Sequence, residues 1–433
     1  MQAYELEKTD ADFIDEIPKH WNLNRAKKIY REVDERSTDG SEILLSVSEF
    51  TGVTPKQKKY EDADWVGRAE SLEGYKKCKK GDLVSNIMLA WKRGLGVTEH
   101  NGIVSPAYCV YRSNHKAHPK YMHYLLRDVL YTTEFKRHSR GIIDSRLRLY
   151  SQYFLPIPLI TPPVEEQEII AKYLKELSSK INKVIKLKQQ QIEKIEKYYS
   201  SVIYEIITKG KNKNNNFTTS KVPWINKYPS SWKIKRVKDV CLKIDTGSTP
   251  PTAVEEYYLD GEIKWFSPAD FNKSKYLIEA KKLLNIKAKI DNKLKIFPEN
   301  SIYFVGVGAT VGKIALTKDA SSCNQQINII TPFKIEPNYL YYFLKVYEKD
   351  IVKIATNTTL PIFNQRNTGE LKIAVPSISE QKEISSYLDK VNKNISDLIQ
   401  KINFQIETLK QYKESIIHEC VMGKKCVLEV KNG

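Results

Sequence analysis

The chain has 433 residues, enough for two to four domains that each bury a core of their own. It carries 70 Lys and Arg against 52 Asp and Glu, and this net charge of +18 favours a polyanionic partner, nucleic acid before membrane, although a lysine-rich proteome would also explain it. No run approaches about 18 consecutive apolar residues, and the N-terminus has no apolar signal-peptide core, so we expect a cytoplasmic protein.

Residues 1–160 are predicted to form a mixed α/β module that begins with the motif Pro18-Lys-His-Trp21-x-x-x-Arg25. Two of its segments, residues 91–94 and 136–148, combine basic side chains with glycines that let a backbone approach a duplex. Lys and Arg suit phosphate contacts, and Arg, Asn, Gln and aromatic residues on loops suit base contacts. An ordinary solvated loop would explain any single one of these residues. The DNA-contact candidates in this module are Lys92, Arg93, Arg137, Arg140, Arg146 and Arg148.

Residues 161–209 are predicted to form the first long helix, about 65 Å in length at 1.5 Å per residue. Its apolar residues recur at alternating spacings of four and three, which is the pattern of a coiled-coil seam, and the seam is interrupted at Lys188 and Gln191. A single apolar stripe of this length needs a partner to cover it. The predicted seam residues are Ile170, Leu174, Leu177, Ile181, Val184, Ile192, Ile195, Tyr199, Val202 and Ile206.

The second part of the chain repeats this order. Residues 210–222 are a polar run that is typical of a linker, and residues 223–376 are predicted to form a second mixed α/β module, which begins with Pro229-Ser-Ser-Trp232-x-x-x-Arg236. Residues 377–423 are predicted to form the second long helix, and residues 424–433 a C-terminal tail. The loop residues of this module that are candidates for DNA contact are Asn324, Gln325, Gln326, Asn357, Asn364, Gln365 and Arg366.

The two long segments are copies of each other. The chain reads E-Q-E-I-I-A-K-Y-L around Gln167 and E-Q-K-E-I-S-S-Y-L around Gln381, and the offset between them (381 − 167 = 214) holds along both segments without a gap. The glutamates of these helix starts complement the positive end of the helix dipole. Neither capping nor the dipole explains the two glutamines.

Gln191 and Gln405 are equivalent under the same offset, and both fall where the seam calls for an apolar residue. Buried amides at such positions commonly fix the register of two helices at some cost in stability. We therefore predict that this pair sets how far the two helices slide along each other. The alternative is that the seam opens to solvent at these positions.

The order of the elements predicts that the two helices pair with each other. The first helix ends near Lys209, and the second module begins a short linker later and leads directly into the second helix. The second helix therefore starts where the first one stops, which makes the pair antiparallel. The predicted fold class is α+β, with two mixed α/β modules, each followed by a long helix, and the helices paired as an antiparallel coiled coil with pseudo-two-fold symmetry.

Together these features resemble the specificity subunit of a type I restriction-modification enzyme. The resemblance rests on the two P-x-x-W motifs, the Pro-x-x-x-Glu-Gln helix starts, the two long helices, and the stretches G-S-T-P-P from Gly247 and W-F-S-P-A-D from Trp265, and it extends along essentially the whole chain. It implies that each module is a target recognition domain that reads one part of a bipartite DNA sequence. It also implies that the helices dock two methyltransferase subunits.

The function implied by the resemblance is recognition of double-stranded DNA without catalysis. We expect an asymmetric target whose two parts are held apart by the helices, and no cofactor on this chain. S-adenosylmethionine is expected on the methyltransferase subunits, and ATP and Mg²⁺ on two restriction subunits where these accompany the complex. The alternative is a DNA- or RNA-binding coiled-coil scaffold that serves a different complex.

Motifs that would make the chain an enzyme are weak. Residues 105–108, S-P-A-Y, lack the acidic or amide residue and the second proline of an adenine methyltransferase motif, and are predicted to form a turn that leads into a strand. Residues 306–312 do not have the G-x-G-x-x-G spacing, and a tight glycine-rich turn in a mostly β module explains them better. The nuclease-like residues 260–264 are expected by chance in so charged a chain. The six cysteines form no C-x-x-C pair, and we expect no metal site.

Overall fold

The chain divides into two compact units, the first comprising Met1–Gln189 and Asn403–Gly433 and the second Gln190–Ile402. Each unit therefore contains one globular module and part of each long helix. The computed structural model describes residues 4–56, 71–114, 117–212, 214–272, 274–308, 310–355 and 362–427.

The first unit is a mixed α/β module on the N-terminal part of a long helix. Its strands are β1 (Leu6–Lys8), β2 (Glu16–Pro18), β3 (Asn22–Arg25), β4 (Tyr30–Val33), β5 (Leu45–Ser48), β6 (Gly52–Pro55), β7 (Lys76–Cys78), β8 (Leu83–Asn86), β9 (Leu95–Val97), β10 (Gly102–Val104), β11 (Tyr108–Ser113) and β12 (Pro158–Thr161). Its helices are α1 (Pro119–Leu125), α2 (Val129–His138), α3 (Ser151–Phe154) and the first part of α4 (Val164–Lys209). The central sheet has the order β4-β11-β8-β9 and is antiparallel throughout.

The second unit repeats this plan with different additions. Its strands are β13 (Phe217–Val222), β14 (Ile225–Pro229), β15 (Lys233–Arg236), β16 (Cys241–Thr246), β17 (Ile263–Phe266), β18 (Tyr276–Leu277), β19 (Lys282–Leu284), β20 (Ile302–Val305), β21 (Ile314–Thr317), β22 (Ser322–Cys323), β23 (Ile327–Pro332) and β24 (Lys372–Val375). Its helices are α5 (Ile286–Ile290), α6 (Pro337–Val346), α7 (Glu348–Ala355), α8 (Gln365–Glu370) and the first part of α9 (Ile378–Val421). The central sheet has the order β16-β23-β20-β21-β18.

The two central sheets share their strand order and their pairing register. In the first sheet Leu83 pairs with Tyr111 and with Val97. In the second sheet Ile302 pairs with Ile330 and with Leu316, and each of these residues lies 219 positions after its counterpart (302 − 83 = 219). The duplication inferred from the helices therefore extends to the hydrogen-bonding register of the modules.

The structure confirms two of the predicted turns. Strands β20 and β21, on either side of residues 306–312, pair as an antiparallel hairpin, so the element that follows the glycines is a strand and not the helix that a nucleotide-binding motif requires. Residues 105–108 form a turn in which the Tyr108 amide donates to the Ser105 carbonyl at 3.0 Å, and β11 follows directly.

The P-x-x-W motifs form the same turn in both units, where the amide of the tryptophan donates to the carbonyl of the proline. Each turn packs against the start of a long helix, but the glutamate there has different partners. Trp232 Nε1 donates to Glu380 Oε2 at 3.1 Å. Glu166 instead contacts His20 Nε2 at 2.9 Å and the Tyr4 hydroxyl, and Trp21 Nε1 has no hydrogen-bond partner among the described residues.

The glutamines of the helix starts join each long helix to a second helix of the same unit. Gln167 Oε1 accepts from the His118 amide, which caps α1, at 2.8 Å, and its Nε2 donates to the Pro162 carbonyl at 2.8 Å. Gln381 Oε1 accepts from the Glu336 amide, which caps α6, at 2.8 Å, and its Nε2 donates to the Pro376 carbonyl at 2.9 Å. We call these two residues the glutamine clamps.

The long helices begin and end where their sequences change. Prolines precede both helices, Ser377 Oγ accepts from the Glu380 amide at 3.2 Å, and α4 and α9 are followed by glycines with positive φ, Gly210 at 74° and Gly423 at 71°. The predicted linker is too long, because residues 217–222 form β13 and pair with β14. The alternation of Thr, Ser and Val there suits an edge strand as well as a linker.

The helical segments pair in antiparallel fashion within each unit. In the first unit Lys413 Nζ lies 3.2 Å from Asn182 Oδ1, and Lys188 Nζ lies 2.7 Å from Gln405 Oε1. In the second unit the Tyr199 hydroxyl donates to Asn392 Oδ1 at 2.7 Å. Just beyond the end of α4, Lys211 Nζ lies 3.9 Å from Glu383 Oε2 near the start of α9. This confirms the predicted antiparallel pairing and, with the two mixed modules, the predicted α+β fold.

The seam follows a different path from the predicted one at the middle of each helix. Val184 of the first helix and Leu398, its equivalent under the offset of 214, were both predicted to lie on the seam, but they are 41% and 42% exposed. Ile185 and Ile399 are less exposed and occupy the inner side in their place. Both alternatives are apolar and lie three or four residues after the preceding seam position, so spacing alone did not distinguish them.

The predicted burial of Gln191 and Gln405 is wrong. Both side chains are exposed, and Gln405 accepts a hydrogen bond from Lys188 at the surface. The seam passes through Lys188 and Ile192 instead, and a helical residue one position before Ile192 points about 100° away from it. The role of these glutamines in the helix register stays a prediction without the burial on which it was based.

Part of the predicted C-terminal tail belongs to the core of the first unit. Val427 is buried in the same apolar cluster as Trp21, Leu125 and Ile170, and Gly423 lies against Pro18. The end of α9 and the residues after it therefore complete the first module.

Candidate nucleic-acid interface

In the first unit the candidate residues surround the loop between β8 and β9, residues 87–94. Lys92 Nζ and Lys136 Nζ each lie 4.8 Å from the ring centroid of Trp91 in this loop. Their two ammonium groups therefore share one aromatic surface, and the cation–π contacts hold them at the edge of the module. Lys136 belongs to α2 and begins the predicted segment 136–148, although it was not among the individually named candidates.

The second candidate loop, residues 139–148, lies beside the first. The Leu149 amide donates to the Ile87 carbonyl at 2.9 Å, which joins the two loops. Arg140 places its guanidinium 4.8 Å from the ring of Tyr153, and Arg148 donates to the Leu147 carbonyl at 2.9 Å. The guanidinium of Arg146 is exposed and has no hydrogen bond or ion pair with any residue that the structure describes.

Two of the predicted arginines are engaged in ion pairs. Arg93 Nη1 lies 2.8 Å from Glu414 Oε1 on α9, and Arg137 Nη2 lies 2.8 Å from Glu134 Oε1. The hydrogen bond to Glu134 raises the pKa of Arg137 above its usual value, and Asp12 lies 3.9 Å away. The sequence did not reveal the pair with Glu414, because that glutamate lies in a distant part of the chain, 321 positions after Arg93.

Arg127 organises this edge of the first unit, and the sequence prediction missed it. Its guanidinium donates to backbone carbonyls of the β5–β6 hairpin, at 2.7 Å to Glu49 and 3.3 Å to Ser48, and to Leu95 at 2.7 Å. Burial and the nearby charge of Arg93 lower the pKa of Arg127 to about 10. Arg127 thus holds the hairpin against the β8–β9 loop.

In the second unit the polar candidates meet at the corresponding edge of the sheet. Asn324 Nδ2 donates to Gln326 Oε1 at 2.9 Å, and Gln325 Oε1 accepts from the Thr249 hydroxyl. The Gly306 amide donates to the Gln326 carbonyl at 2.8 Å, so the glycine-rich turn lies beside these amides. A Cβ on Gly306 would lie 2.5 Å from the Phe363 carbonyl oxygen, which shows how closely the segments approach.

The last group of candidates borders the same surface. Gln365 Nε2 donates to Thr246 Oγ1 at 2.6 Å, and Arg366 is exposed. Asn364 caps α8, because its side chain accepts from the Asn367 amide at 2.8 Å, and this bond gives it a structural role. Asn357 lies outside the described residues.

The two candidate surfaces occupy equivalent places in the two modules. In the first unit the Leu149 amide, directly after the loop at residues 139–148, donates to the Ile87 carbonyl at the end of β8. In the second unit Phe363 donates to Gly306, at the end of β20, at 2.7 Å. The same sheet edge therefore presents guanidinium and ammonium groups in one unit and mainly amides in the other, which suits contacts with different base edges.

Among the described residues there is no group of three or more His, Cys, Asp or Glu side chains placed to hold a metal ion. None of the described helices combines the length and apolar character needed to cross a membrane.

The sequence and the fold are similar to those of specificity subunits. Residues 229–408 match the family model of the type I restriction modification DNA specificity domain. The chain is 24% identical over 446 residues to a protein assigned as the type I restriction enzyme MjaX specificity subunit of Methanocaldococcus jannaschii, with 98% of each chain covered. It is 28% identical over 174 residues to the EcoR124I/EcoR124II specificity subunit of Escherichia coli, which covers 38% of this chain and 43% of that one.

Two solved structures share the fold. One, from a study of complex assembly and conformational transition of the type I R-M system, has a TM-score of 0.71 at 17% identity and covers 94% of this chain and 99% of its own. The other, the HsdS subunit from Thermoanaerobacter tengcongensis, has a TM-score of 0.53 at 18% identity, with 94% and 98% covered. The predicted resemblance to type I specificity subunits is confirmed.

Proposed function

We propose that this chain, which is similar along its whole length to type I restriction enzyme specificity subunits, directs such a complex to its DNA target without catalysing a reaction itself. The observation that carries the proposal is the pair of equivalent loop surfaces. Each collects side chains suited to phosphates and base edges at the same edge of a duplicated sheet.

Each module would read one half of a bipartite target. The first surface is rich in arginine and lysine, and the second in asparagine and glutamine, so the two half-sites are expected to differ in sequence. A target with two different halves is asymmetric. The length of the long helices would set the number of unread base pairs between the halves.

Catalysis would belong to partner subunits. The proposed complex contains two adenine-N6 methyltransferase subunits docked on the helices, which would bind S-adenosylmethionine, and, in a system that also cleaves DNA, two restriction subunits that would bind ATP and Mg²⁺. We place this complex in the cytoplasm, where its double-stranded DNA substrate lies.

The proposal is tested by a genome-wide map of N6-methyladenine in cells with and without this chain, with the methyltransferase subunit present in both. We expect an interrupted, asymmetric motif, methylated on both strands, that appears only when the chain is present. Methylation that does not depend on the chain, together with failure of the chain to co-purify with the methyltransferase subunit, would contradict the proposal and favour a nucleic-acid-binding scaffold of another complex.

A further inference from the structure

The tip of the loop at residues 139–148 presents two neighbouring apolar side chains to solvent. Ile142 is 95% exposed and Ile143 is 54% exposed. Single exposed apolar residues are common on protein surfaces. This pair is distinguished by the rigid base of its loop and by the charges around it.

The base of the loop is tightly closed. Arg140 and Arg148 exchange two backbone hydrogen bonds, each 2.9 Å long. A Cβ on Gly141 would lie 2.5 Å from the Arg146 carbonyl oxygen, so only glycine fits where the two sides of the loop meet. Lys136 Nζ pairs with Asp144 Oδ2 at 2.9 Å. The tip is thus held away from the module and is not free to fold its isoleucines back onto the core.

The tip is surrounded by positive charge. Arg146 is exposed without an ion-pair partner among the described residues, and Arg140 stacks on Tyr153 close to the base of the loop. Asp144, the acidic residue of the loop, is neutralised by Lys136. An apolar tip ringed by guanidinium groups is complementary to a ligand with an anionic outside and apolar flat surfaces inside, which describes a DNA duplex.

We propose that the Ile142 tip is an apolar wedge that enters between two adjacent base pairs of the first half-site. This inference rests on the proposed function of the first module as a DNA reader. The phosphates offer nothing to an isoleucine, and a thymine methyl group would cover only one end of its side chain. The face of a base, exposed when one step is unstacked, covers all of it. Arg140 and Arg146, which lie on either side of Ile142 in the loop, would then be available to the phosphates next to the widened step.

The test uses the complex with its methyltransferase subunits and a duplex that carries the target read from the methylation map. The fluorescent base 2-aminopurine is placed at each position of the first half-site in turn, because its emission rises when it loses stacking. Apart from the target adenine, which a methyltransferase flips out of the stack in every variant, we expect one step to brighten at saturating protein with the unchanged chain and with Ile142→Leu, but not with Ile142→Ser. The Ser variant should also bind the duplex about tenfold to hundredfold more weakly.

Salt dependence separates the wedge from the phosphate contacts. Arg146→Gln should reduce the slope of log affinity against log salt by about one, whereas Ile142→Ser should leave the slope unchanged. An Ile142→Ser complex that binds weakly while the fluorescence of every step matches the unchanged chain would overturn the wedge and indicate a groove contact. Failure of Ile142→Ser to assemble with the methyltransferase would equally overturn it, by showing that the tip contacts protein.

The failure of the wedge and the failure of the proposed function give different results. If the unchanged complex binds its duplex specifically and no step brightens, the wedge is wrong and the proposed function stands. If the unchanged complex shows no specific binding at any salt concentration, the proposed function fails, and the wedge fails with it.

Discussion

His123 lies beneath the β5–β6 hairpin of the first unit, where its ring touches the backbone of two glycines. A Cβ on Gly52, whose φ is +75°, would lie 2.7 Å from His123 Cε1, and one on Gly96 would lie 3.0 Å from Nδ1. Burial, and then the charge of Arg127, lower the pKa of His123 from 6.5 to about 4, against a smaller opposing effect of Glu99. The hairpin that Arg127 holds in place therefore also depends on an uncharged imidazole.

We predict that the first unit loses stability in mild acid. Because the folded pKa of His123 lies below the unfolded value of 6.5, the unfolded chain binds the proton more readily, and stability present at pH 7 is lost as the pH falls from about 6.5 towards 4. The expected loss from this group is about 2 kcal/mol by pH 5. Urea denaturation at pH 7 and pH 5 measures it.

Two variants make this measurement specific. His123→Leu should remove most of that pH dependence, and His100→Leu, at an exposed position, should retain it. Equal loss of stability on acidification in the unchanged chain and in His123→Leu would show that other groups control the acid sensitivity.

At the level of single residues, the sequence indicated segments rich in basic and amide side chains, but not which of those side chains are engaged within the protein. Such segments are visible in one dimension because they combine these side chains with glycines. The sequence could not show that Arg93 is bound to Glu414, since that pair depends on folding, whereas the pair of Arg137 with Glu134 is local, three residues apart on α2. The sequence did not identify Arg127 either, because the carbonyl groups that its guanidinium binds lie in two distant segments of the chain.

The glutamine clamps are the best example of a device that operates between elements. Gln381 is 1% exposed, and its one side chain accepts from the Glu336 amide at the N-cap of α6 and donates to the Pro376 carbonyl before α9. Gln167 does the same for α1 and α4. Each clamp fixes the angle between a module and its long helix, which explains why the glutamine recurs at the start of both long helices although capping does not require it.

We predict that Gln381→Ala destabilises the second unit by about 2–3 kcal/mol, since it leaves the part-buried amide of Glu336 and the buried carbonyl of Pro376 without partners. The matched control is Gln191→Ala, which changes an exposed glutamine of a long helix and should alter stability by less than about 0.5 kcal/mol. Chemical denaturation of both variants gives the comparison. Similar values for the two would mean that the clamp contributes no more than a surface side chain.

The long helices show where periodicity succeeds and where it fails. Spacings of three and four predicted both helices, their lengths and their pairing, because a continuous apolar stripe is a property of the sequence. The inner residue at mid-helix was wrong, since Val184 and Ile185 both continue the pattern and only the twist of the assembled pair chooses between them.

At the scale of the whole molecule, duplication was visible in the helices and hidden in the modules. The offset between the starts of the equivalent strands β4 and β16 is 241 − 30 = 211, that between β8 and β20 is 302 − 83 = 219, and that between the two glutamine clamps is 381 − 167 = 214. The offset rises by eight (219 − 211) because the segment between β16 and β20, which contains β17, β18, β19 and α5, is longer than the segment between β4 and β8. A comparison without gaps finds the helices and loses the sheets, although their registers agree.

Separate cores for the two modules predict that the two half-sites are read independently. The apolar cluster around Trp21 contains residues of the first unit, and the cluster around Trp232 contains residues of the second. Arg146→Gln and Arg366→Gln each remove one exposed guanidinium from one surface. Each should weaken DNA binding through its own module, leave the methylated motif unchanged, and reduce the salt slope of DNA binding by about one.

The double variant decides the question, with Lys233→Gln, which changes an exposed lysine of β15 that belongs to neither loop surface, as the control that should leave DNA binding unchanged. Changes at sites with no shared partner add, so the coupling free energy between the two arginine variants should stay below about 0.5 kcal/mol, and the salt slope should fall by about two. A larger coupling would mean that binding at one half-site alters the other. The chain would then act as one cooperative reader, and its duplicated modules would not be independent recognition domains.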